Sequence, residues 1–335
     1  MEQGIIKKAD AGELIAVLGG KYIVYGPVKD DEGVSLSKVG DGEDITFEYS
    51  NFNLSPKGLF FPQSEVIYTY DDSVEAKESL PEERFIVFGI RPCDASALLR
   101  LDEVYKKSSP EDPYYIRRRE NAVIISMACK KPCQTCFCTS VGEGPAAKAG
   151  ADVIAFDLDD SLFLEACTKK GEQLLDIWSK LLQEPDSAVL ESKQRQAASA
   201  NGKVYALNSE GITQKLQKKF ESPIWKEISQ RCLSCGACTF ICPTCHCFGI
   251  NDEPCGSKNR RVRCWDACMF KEFGGEASGH NPRGMIDQRL RQRIMHKFLY
   301  TAENFGDVFC VGCGRCINRC PVNIDIREII TEGTQ

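Results

Sequence analysis

Two short stretches in the last third of this 335-residue chain carry cysteines at identical intervals. Residues 232–243 read CLSCGACTFICP, and residues 310–321 read CVGCGRCINRCP. Both follow the spacing C-x2-C-x2-C-x3-C-P, which binds [4Fe-4S] clusters through cysteine thiolates. Three thiolates at two-residue gaps let one tight loop wrap three corners of a cubane, while the fourth cysteine leaves the loop. The sequence therefore predicts two [4Fe-4S] clusters in this region.

The fourth cysteine of each run is expected to bind the cluster that the other run holds. The ligands predicted for the first cluster are Cys232, Cys235, Cys238 and Cys320. Those predicted for the second cluster are Cys310, Cys313, Cys316 and Cys242. A pair of structural zinc sites is the alternative, since zinc also binds four thiolates. Two complete runs that each end in proline favour iron–sulfur clusters instead.

Cysteine is abundant across the chain, with 19 copies against only three histidines. Sites rich in thiolate and poor in histidine favour zinc or iron–sulfur clusters. A secreted protein held by disulfides is the other interpretation, but this chain is large and its first residues lack an apolar signal core. The net charge of −6 argues against a nucleic-acid partner, and no apolar run is long enough for a membrane helix. We therefore expect a soluble, cytoplasmic protein with neither kind of partner.

The N-terminal part, residues 1–222, alternates strand and helix signals and predicts an α/β domain. Short strands are expected at residues 21–28, 34–39, 44–49 and 65–70. Two compact apolar runs, Phe85–Ile90 and Ala122–Met127, predict buried strands with a helix between them, which is the pattern of a parallel pair. A cysteine follows each of these strands, and α/β sheets usually place ligands at the carboxyl ends of their strands.

A second group of cysteines lies at that predicted sheet edge. Four cysteines occur within the ten residues 129–138, and Cys93 follows the neighbouring strand. We predict a third [4Fe-4S] cluster with the ligands Cys93, Cys129, Cys136 and Cys138. Cys133 is the spare thiol and the alternative to one of these ligands. The competing interpretation is a set of free thiols, since free cysteine is often buried.

The cysteine-rich part, residues 223–335, has a long insert between its two runs. The insert contains helical signals, for example over residues 285–300. In this respect it resembles the α-helical ferredoxin domains of fumarate reductases and of the electron-transfer subunits of heterodisulfide reductases. The resemblance implies an all-α domain that holds two clusters among helices.

Several polar and sulfur-containing residues of the insert have more than one interpretation. We expect the additional cysteines to pack around the clusters as small apolar groups; they are Cys245, Cys247, Cys264 and Cys268. A zinc site that includes His246 is the alternative, although the spacing fits no zinc template well. Two basic runs, at 258–263 and 289–297, are expected to be solvated or to neutralise cluster charge. A docking patch for an acidic partner such as a ferredoxin is the functional alternative.

Five further motifs occur in a fixed order along the chain. They are IRPCDASAL at 90–98, TCFCTS at 135–140, CPTCHCF at 242–248, RVRCWDAC at 261–268 and HKFLY at 296–300. Together with the ferredoxin runs they resemble the iron–sulfur β subunit of cytoplasmic sulfhydrogenases, a family that also includes the iron–sulfur dicluster subunit of anaerobic sulfite reductase. The similarity extends over most of the chain, and Cys93, Cys129, Cys136 and Cys138 match positions of that family.

The resemblance implies an electron-transfer subunit of a multisubunit oxidoreductase in anaerobic metabolism. A partner flavoprotein would bind FAD and NAD(P)H, and the catalytic partner would be a [NiFe] hydrogenase, a sirohaem sulfite reductase or a heterodisulfide-reductase-like module. Single electrons would then pass through the clusters of this chain, which needs no catalytic acid, base or nucleophile of its own. One alternative is an enzyme whose N-terminal metal centre binds substrate at an open position. Another is a scaffold that its clusters only stabilise.

Overall fold

The computed structural model describes residues 1–18, 20–40, 45–71, 76–256 and 258–334. The chain divides into two compact units, each built from three segments. The first unit contains Met1–Pro56, Pro81–Tyr205 and Val311–Cys313, and the second contains Lys57–Leu80, Ala206–Cys310 and Gly314–Gln335. The boundary predicted near residue 222 differs from this division. Residues 57–80 and 206–222 belong to the second unit, and three residues of the second ferredoxin run belong to the first.

Among the described residues, nine of the eleven strands lie before residue 167, and nine of the twelve helices follow them. In chain order the strands are β1 (Gln3–Lys7), β2 (Ile23–Asp30), β3 (Gly33–Val39), β4 (Ser64–Tyr70), β5 (Lys77–Glu78), β6 (Phe85–Ile90), β7 (Ala122–Met127), β8 (Val153–Leu158), β9 (Ser161–Ala166), β10 (Phe248–Cys255) and β11 (Lys258–Trp265). The helices are α1 (Ala11–Ala16), α2 (Pro92–Tyr105), α3 (Pro113–Asn121), α4 (Lys169–Ile177), α5 (Ser187–Asn201), α6 (Ile212–Lys218), α7 (Ile224–Ser229), α8 (Ala237–Phe240), α9 (Ile286–Met295), α10 (Thr301–Phe305), α11 (Arg315–Asn318) and α12 (Ile326–Thr334). A π-helical turn, His296–Tyr300, joins α9 to α10.

The first unit is built on a seven-stranded sheet in the order β1-β9-β8-β7-β6-β2-β3. Its central strands β2, β6, β7 and β8 are parallel, while β3, β9 and β1 are antiparallel to their neighbours. Every residue of β6 and β7 is buried, as expected for central strands that helices cover on both faces. The predicted α/β architecture and its parallel pair β6–β7 are confirmed. The predicted strand at 44–49 begins outside the described residues, and Ile45 forms only an isolated bridge to Val28.

An apolar core on one face of this sheet holds α1 and α4 in place. Leu14 of α1 and Leu174 and Leu175 of α4 are buried against strand residues. Trp178, just after α4, is also fully buried, and its indole N–H donates a 2.8 Å hydrogen bond to the carbonyl of Leu14. A buried indole needs such a partner, so this bond ties the N-terminal helix to α4.

The second unit contains an antiparallel sheet in the order β10-β11-β4-β5. The prediction of an all-α domain over 223–335 is therefore wrong in this respect. Strands β10 and β11 form a hairpin, and β11 pairs with β4, a strand expected in the other domain. A buried ion pair fixes that contact, because Arg263 Nη2 lies 2.5 Å from Glu65 Oε2. Proline and acidic residues in β10 weaken its strand signal, which explains why the sequence did not indicate the hairpin.

The two ferredoxin runs have the same local structure in the second unit. Each has a left-handed glycine immediately before a short helix, Gly236 (φ +73°) before α8 and Gly314 (φ +72°) before α11. Glycine is the residue that adopts this conformation without strain. At Gly236 a Cβ atom would also lie 2.8 Å from the ring of Phe270. Both runs can therefore turn sharply between their second and third cysteines. Within the described residues, no helix is both long and apolar enough to span a membrane.

Candidate metal centres

The four cysteines predicted for the first cluster surround one cavity in the second unit. Cys232, Cys235 and Cys238 line it from the first run, and Cys320 lines it from the end of the second. The remaining wall is mostly apolar and includes Leu290, Ile294 and Ile329. Cys316, which was predicted for the second cluster, also lines this space. Five thiols therefore border it, one more than the four that a thiolate-bound [4Fe-4S] cluster needs. The structure thus brings Cys320, from the second run, to the same cavity as the first three cysteines of the first run.

Backbone amides point at two of these sulfur atoms. The N–H of Ser234 donates to Cys232 Sγ over 3.4 Å, and the N–H of Ile324 donates to Cys320 Sγ over 3.2 Å. Burial raises the pKa of the Cys232 and Cys238 thiols, so the thiolate form needs compensation from donors or metal. Hydrogen bonds to cluster sulfur are one means by which proteins stabilise these groups and set their potentials.

The ligands predicted for the second cluster are divided between the units. Cys242, Cys310 and Cys316 belong to the second unit and Cys313 to the first. Cys242 Sγ accepts a hydrogen bond from Lys297 Nζ at 3.2 Å and lies 3.3 Å from Thr244 Oγ1. Contact with the Cys245 thiol and the charge of Lys297 hold the pKa of Cys242 well below its usual range. The thiolate, which is the metal-binding form, is therefore favoured at Cys242.

Buried cations are unusually frequent around the cysteines of the second unit. Lys57, Arg289, Arg293 and Lys297 are each no more than 5% exposed. Within the described ranges, none of the four forms an ion pair with a carboxylate. Their donors instead reach main-chain carbonyls, a serine hydroxyl and thiols. Burying unpaired cations costs stability, and thiolate-bound clusters would supply the missing negative charge.

The five cysteines considered for the third cluster also meet in one place, in the first unit. Cys93 lies in the first turn of α2 and Cys129 lies two residues after β7. Both line a cavity with Cys133, Cys136 and Cys138. The parallel pairing of β6 with β7 brings the two strand ends together. All five thiols border this cavity, Cys129 and Cys133 among them.

The sequence did not indicate two further groups that border this N-terminal cavity. Arg91 is buried and donates from Nε to Ser50 O at 3.0 Å and from Nη1 to Met127 O at 3.3 Å. Its charge partly offsets the effect of burial, which raises the pKa of Cys129. Cys313, predicted for the second cluster, also lines the cavity. The N–H of Phe137 donates to Gly312 O over 2.8 Å, which fixes this part of the second run beside the loop at 136–138.

The additional cysteines were considered for a zinc site that includes His246. Within the ranges described, no three His, Cys, Asp or Glu side chains are placed to share one metal ion. Cys247 and Cys268 border a separate cavity with His246 and His296. Burial lowers the pKa of both histidines to about 4, so they are neutral at pH 7.

The two basic runs have different environments. The run at 258–263 is largely ion-paired, with Arg260 bound to Glu253 and Arg261 to Asp252. In the run at 289–297, three of the four cations are buried, and only Arg291 reaches towards the surface, beside Phe220. The second run therefore contributes charge to the cysteine sites. A docking patch for an acidic partner remains only a sequence prediction.

The fold and these sites define an iron–sulfur protein in which one domain carries two four-cysteine runs. Residues 231–324 match the family described as "4Fe-4S dicluster domain". The chain is 32% identical over 314 residues to sulfhydrogenase 2 subunit beta of Pyrococcus furiosus, which covers 92% of this chain and 91% of that protein. It is 24% identical over 181 residues to the F420-dependent formate dehydrogenase subunit beta of Methanocaldococcus jannaschii, covering 50% of this chain and 37% of that one.

The chain therefore belongs to the family of the sulfhydrogenase β subunits, as its motifs predicted. It is an iron–sulfur electron-transfer subunit of an oxidoreductase that binds [4Fe-4S] clusters.

Proposed function

We propose that this chain relays single electrons in the cytoplasm between two partner subunits, of which one is a flavoprotein that binds FAD and NAD(P)H and the other is catalytic. The catalytic partner would be a [NiFe] hydrogenase, a sirohaem sulfite reductase or a heterodisulfide-reductase-like module. The observation that carries this proposal is the grouping of candidate thiol ligands around cavities in both units. A [4Fe-4S] cluster bound there accepts and releases one electron. The thiolates hold it, and the buried cations offset its charge.

The proposed ligand sets are those of the sequence. Cys232, Cys235, Cys238 and Cys320 hold the first cluster, and Cys310, Cys313, Cys316 and Cys242 hold the second. Cys93, Cys129, Cys136 and Cys138 hold a third cluster, with Cys133 as the alternative ligand. The third set is supported by the convergence of these thiols on one cavity next to the buried Arg91.

A relay is favoured over an enzyme that binds substrate at its N-terminal centre. A substrate-binding metal site needs an open coordination position. Five candidate cysteines from this region border the cavity, more than the four that one cubane uses. Full ligation by protein is therefore the arrangement that this donor set supports.

Metal content tests the proposed cluster number directly. The chain, purified anaerobically with its partner subunits, should contain about 12 iron and about 12 sulfide ions per copy for three cubanes. Cys320→Ser and Cys136→Ser should each lower the iron content by about four atoms. Cys264→Ser is the matched control, since Cys264 borders neither of the two cysteine-lined cavities, and it should leave the iron content unchanged. Colourless protein that contains zinc would contradict the proposal.

Electron flow is tested by rapid mixing. NADH or NADPH should reduce the clusters of this chain when the flavoprotein is present, and the reduced clusters should be reoxidised by the catalytic subunit. Clusters that the reduced flavoprotein cannot reduce would indicate a structural role. A spectral change of the N-terminal cluster caused by substrate alone would favour the enzyme.

A further inference from the structure

Lys297 occupies an unusual position on the helix that borders the cysteine sites. It lies in the π-helical turn His296–Tyr300 and is only 3% exposed. Such turns insert an extra residue into an α-helix and occur frequently at functional sites. The extra residue changes the direction of the side chains that follow, and here the long side chain of Lys297 reaches the segment around Cys242.

The ammonium group of Lys297 uses all three of its donors. Nζ lies 3.2 Å from Cys242 Sγ, 2.9 Å from Thr244 Oγ1 and 2.9 Å from Phe309 O. A lysine ammonium has three donors and no acceptor, so its hydrogen bonding is complete. Among the described residues it makes no ion pair with a carboxylate. The only group among these three partners that can be anionic is therefore the Cys242 thiolate.

The surrounding main chain holds this ammonium group in place. The freed carbonyl of Lys297 accepts from Phe309 N at 2.8 Å and from Thr301 Oγ1 at 3.0 Å. Thr244 Oγ1 in turn donates to Phe309 O over 2.6 Å. Lys297 is thus bound at both its backbone and its side chain to Phe309, the residue before Cys310. It connects two segments that each carry a ligand proposed for the second cluster.

We propose that Lys297 is a positioning residue that raises the reduction potential of the cluster held by Cys242. A cation that donates to a ligand sulfur stabilises the reduced cluster, which carries one more negative charge, more than the oxidised one. The inference rests on the proposed function, because it takes Cys242 as a ligand. It adds a residue that would give one cluster of the relay a higher reduction potential than it would have without the hydrogen bond.

A matched control exists in the same unit. Lys57 is also 3% exposed and lies above the ring of Trp265, but its Nζ donates to main-chain carbonyls, at 2.9 Å to Cys245 O. It therefore carries a similar buried charge without a bond to a proposed ligand sulfur. Comparing the two lysines separates the hydrogen bond to Cys242 from the effect of positive charge in general.

The experiment is a redox titration followed by electron paramagnetic resonance on the full complex, with iron content measured for every variant. In Lys297→Met, the ratio of reduced to oxidised forms of one cluster at fixed potential should fall about tenfold, which is about 59 mV for a one-electron couple. The physical reason is that the ammonium group stabilises the more negative, reduced cluster more than the oxidised one. Lys297→Arg, which keeps the charge, should shift the same cluster less. Lys57→Met should move no cluster by as much as Lys297→Met.

The experiment distinguishes a failure of the Lys297 proposal from a failure of the proposed function. Wild-type protein without three reducible clusters would contradict that function. Wild-type protein with three clusters, none of which shifts in Lys297→Met, would overturn the role of Lys297 alone. An equal shift in Lys57→Met would also overturn it. If Lys297→Met loses iron, Lys297→Gln keeps a neutral donor, and loss of the cluster in both variants would show a role in assembly instead.

Discussion

Gly312 offers a sharp test of how the second ferredoxin run is held in the first unit. This glycine has φ +61°, and a Cβ atom added to it would lie 2.5 Å from the backbone nitrogen of Cys138 and 2.6 Å from its Cα. Both neighbours are main-chain atoms that cannot turn aside as a flexible side chain could. The substitution Gly312→Ala must therefore displace the loop at 136–138 or the run that contains Gly312.

The loss of stability expected for Gly312→Ala has two contributions. A left-handed conformation costs a residue with a Cβ atom about 1–2 kcal/mol, and overpacking in a close contact adds about 1–3 kcal/mol. Gly312→Ala should thus destabilise the first unit by about 2–5 kcal/mol. Gly142→Ala is the matched control, because Gly142 has φ +80° but a Cβ atom there would meet nothing within 4 Å. Gly142→Ala should lose only about 1–2 kcal/mol of stability, which is the cost of the left-handed conformation.

Urea denaturation under anaerobic conditions measures the difference in the free energy of unfolding between the two variants. Iron analysis then shows the consequence for the cysteine sites. Gly312→Ala should lose at least about four iron atoms per chain, the content of one cubane, while Gly142→Ala should keep its iron. The reasoning is refuted if the two variants unfold within about 0.5 kcal/mol of each other and retain equal iron. In that case the loop and the run would not be in contact.

Three other substitutions or conditions test separate parts of the structure. Glu65→Gln breaks a buried ion pair and should cost about 3–5 kcal/mol, whereas Asp252→Asn at an exposed pair should cost about 0–1 kcal/mol, both measured by urea denaturation. Trp178→Phe leaves a buried carbonyl without its donor and should cost about 1–3 kcal/mol in the same assay. His246 and His296 have a lowered pKa of about 4 in the folded chain, against about 6.5 unfolded. The unfolded chain therefore binds more protons between these values, and stability should fall as the pH drops from 6.5 towards 4, more steeply than in His296→Phe.

Local patterns predicted those features whose determinants lie close together in the sequence. The duplicated cysteine spacing, with its left-handed glycine before each short helix, is contained within twelve residues. The strands β6 and β7 are continuous apolar runs, and their parallel pairing follows from the helices between them. The cysteines at their ends could therefore be predicted to meet. The same logic predicted the family, because its motifs are short and occur in a fixed order.

Other features depend on contacts between residues far apart in the sequence. Strand β4 was predicted as a strand, but its partner is β11, nearly 200 residues later, and the polar β10 gave no strand signal. Lys57 follows Pro56 in a segment without a recognisable motif, yet it is buried beside Trp265. Its burial is evident only once the tertiary structure is known. The alternating cations from Arg289 to Lys297 resemble a solvated helix face, and only the thiols opposite them show why they are buried.

Buried cations of the second unit lie beside cysteine sulfur atoms and so connect the fold with the cysteine chemistry. A chain with a net charge of −6 would be expected to place its cations at the surface, where water solvates them. In the second unit Arg293 and Lys297 are instead buried next to the sulfur atoms of Cys245 and Cys242, at 3.4 and 3.2 Å. Burial alone would lower the pKa of Lys297, and the neighbouring thiolates raise it overall. Because an unpaired buried cation is costly, a negative Cys242 sulfur, which is the form that binds metal, stabilises the buried ammonium group of Lys297. The buried positive charge of Lys297 and the negative charge at the cysteine site therefore stabilise each other.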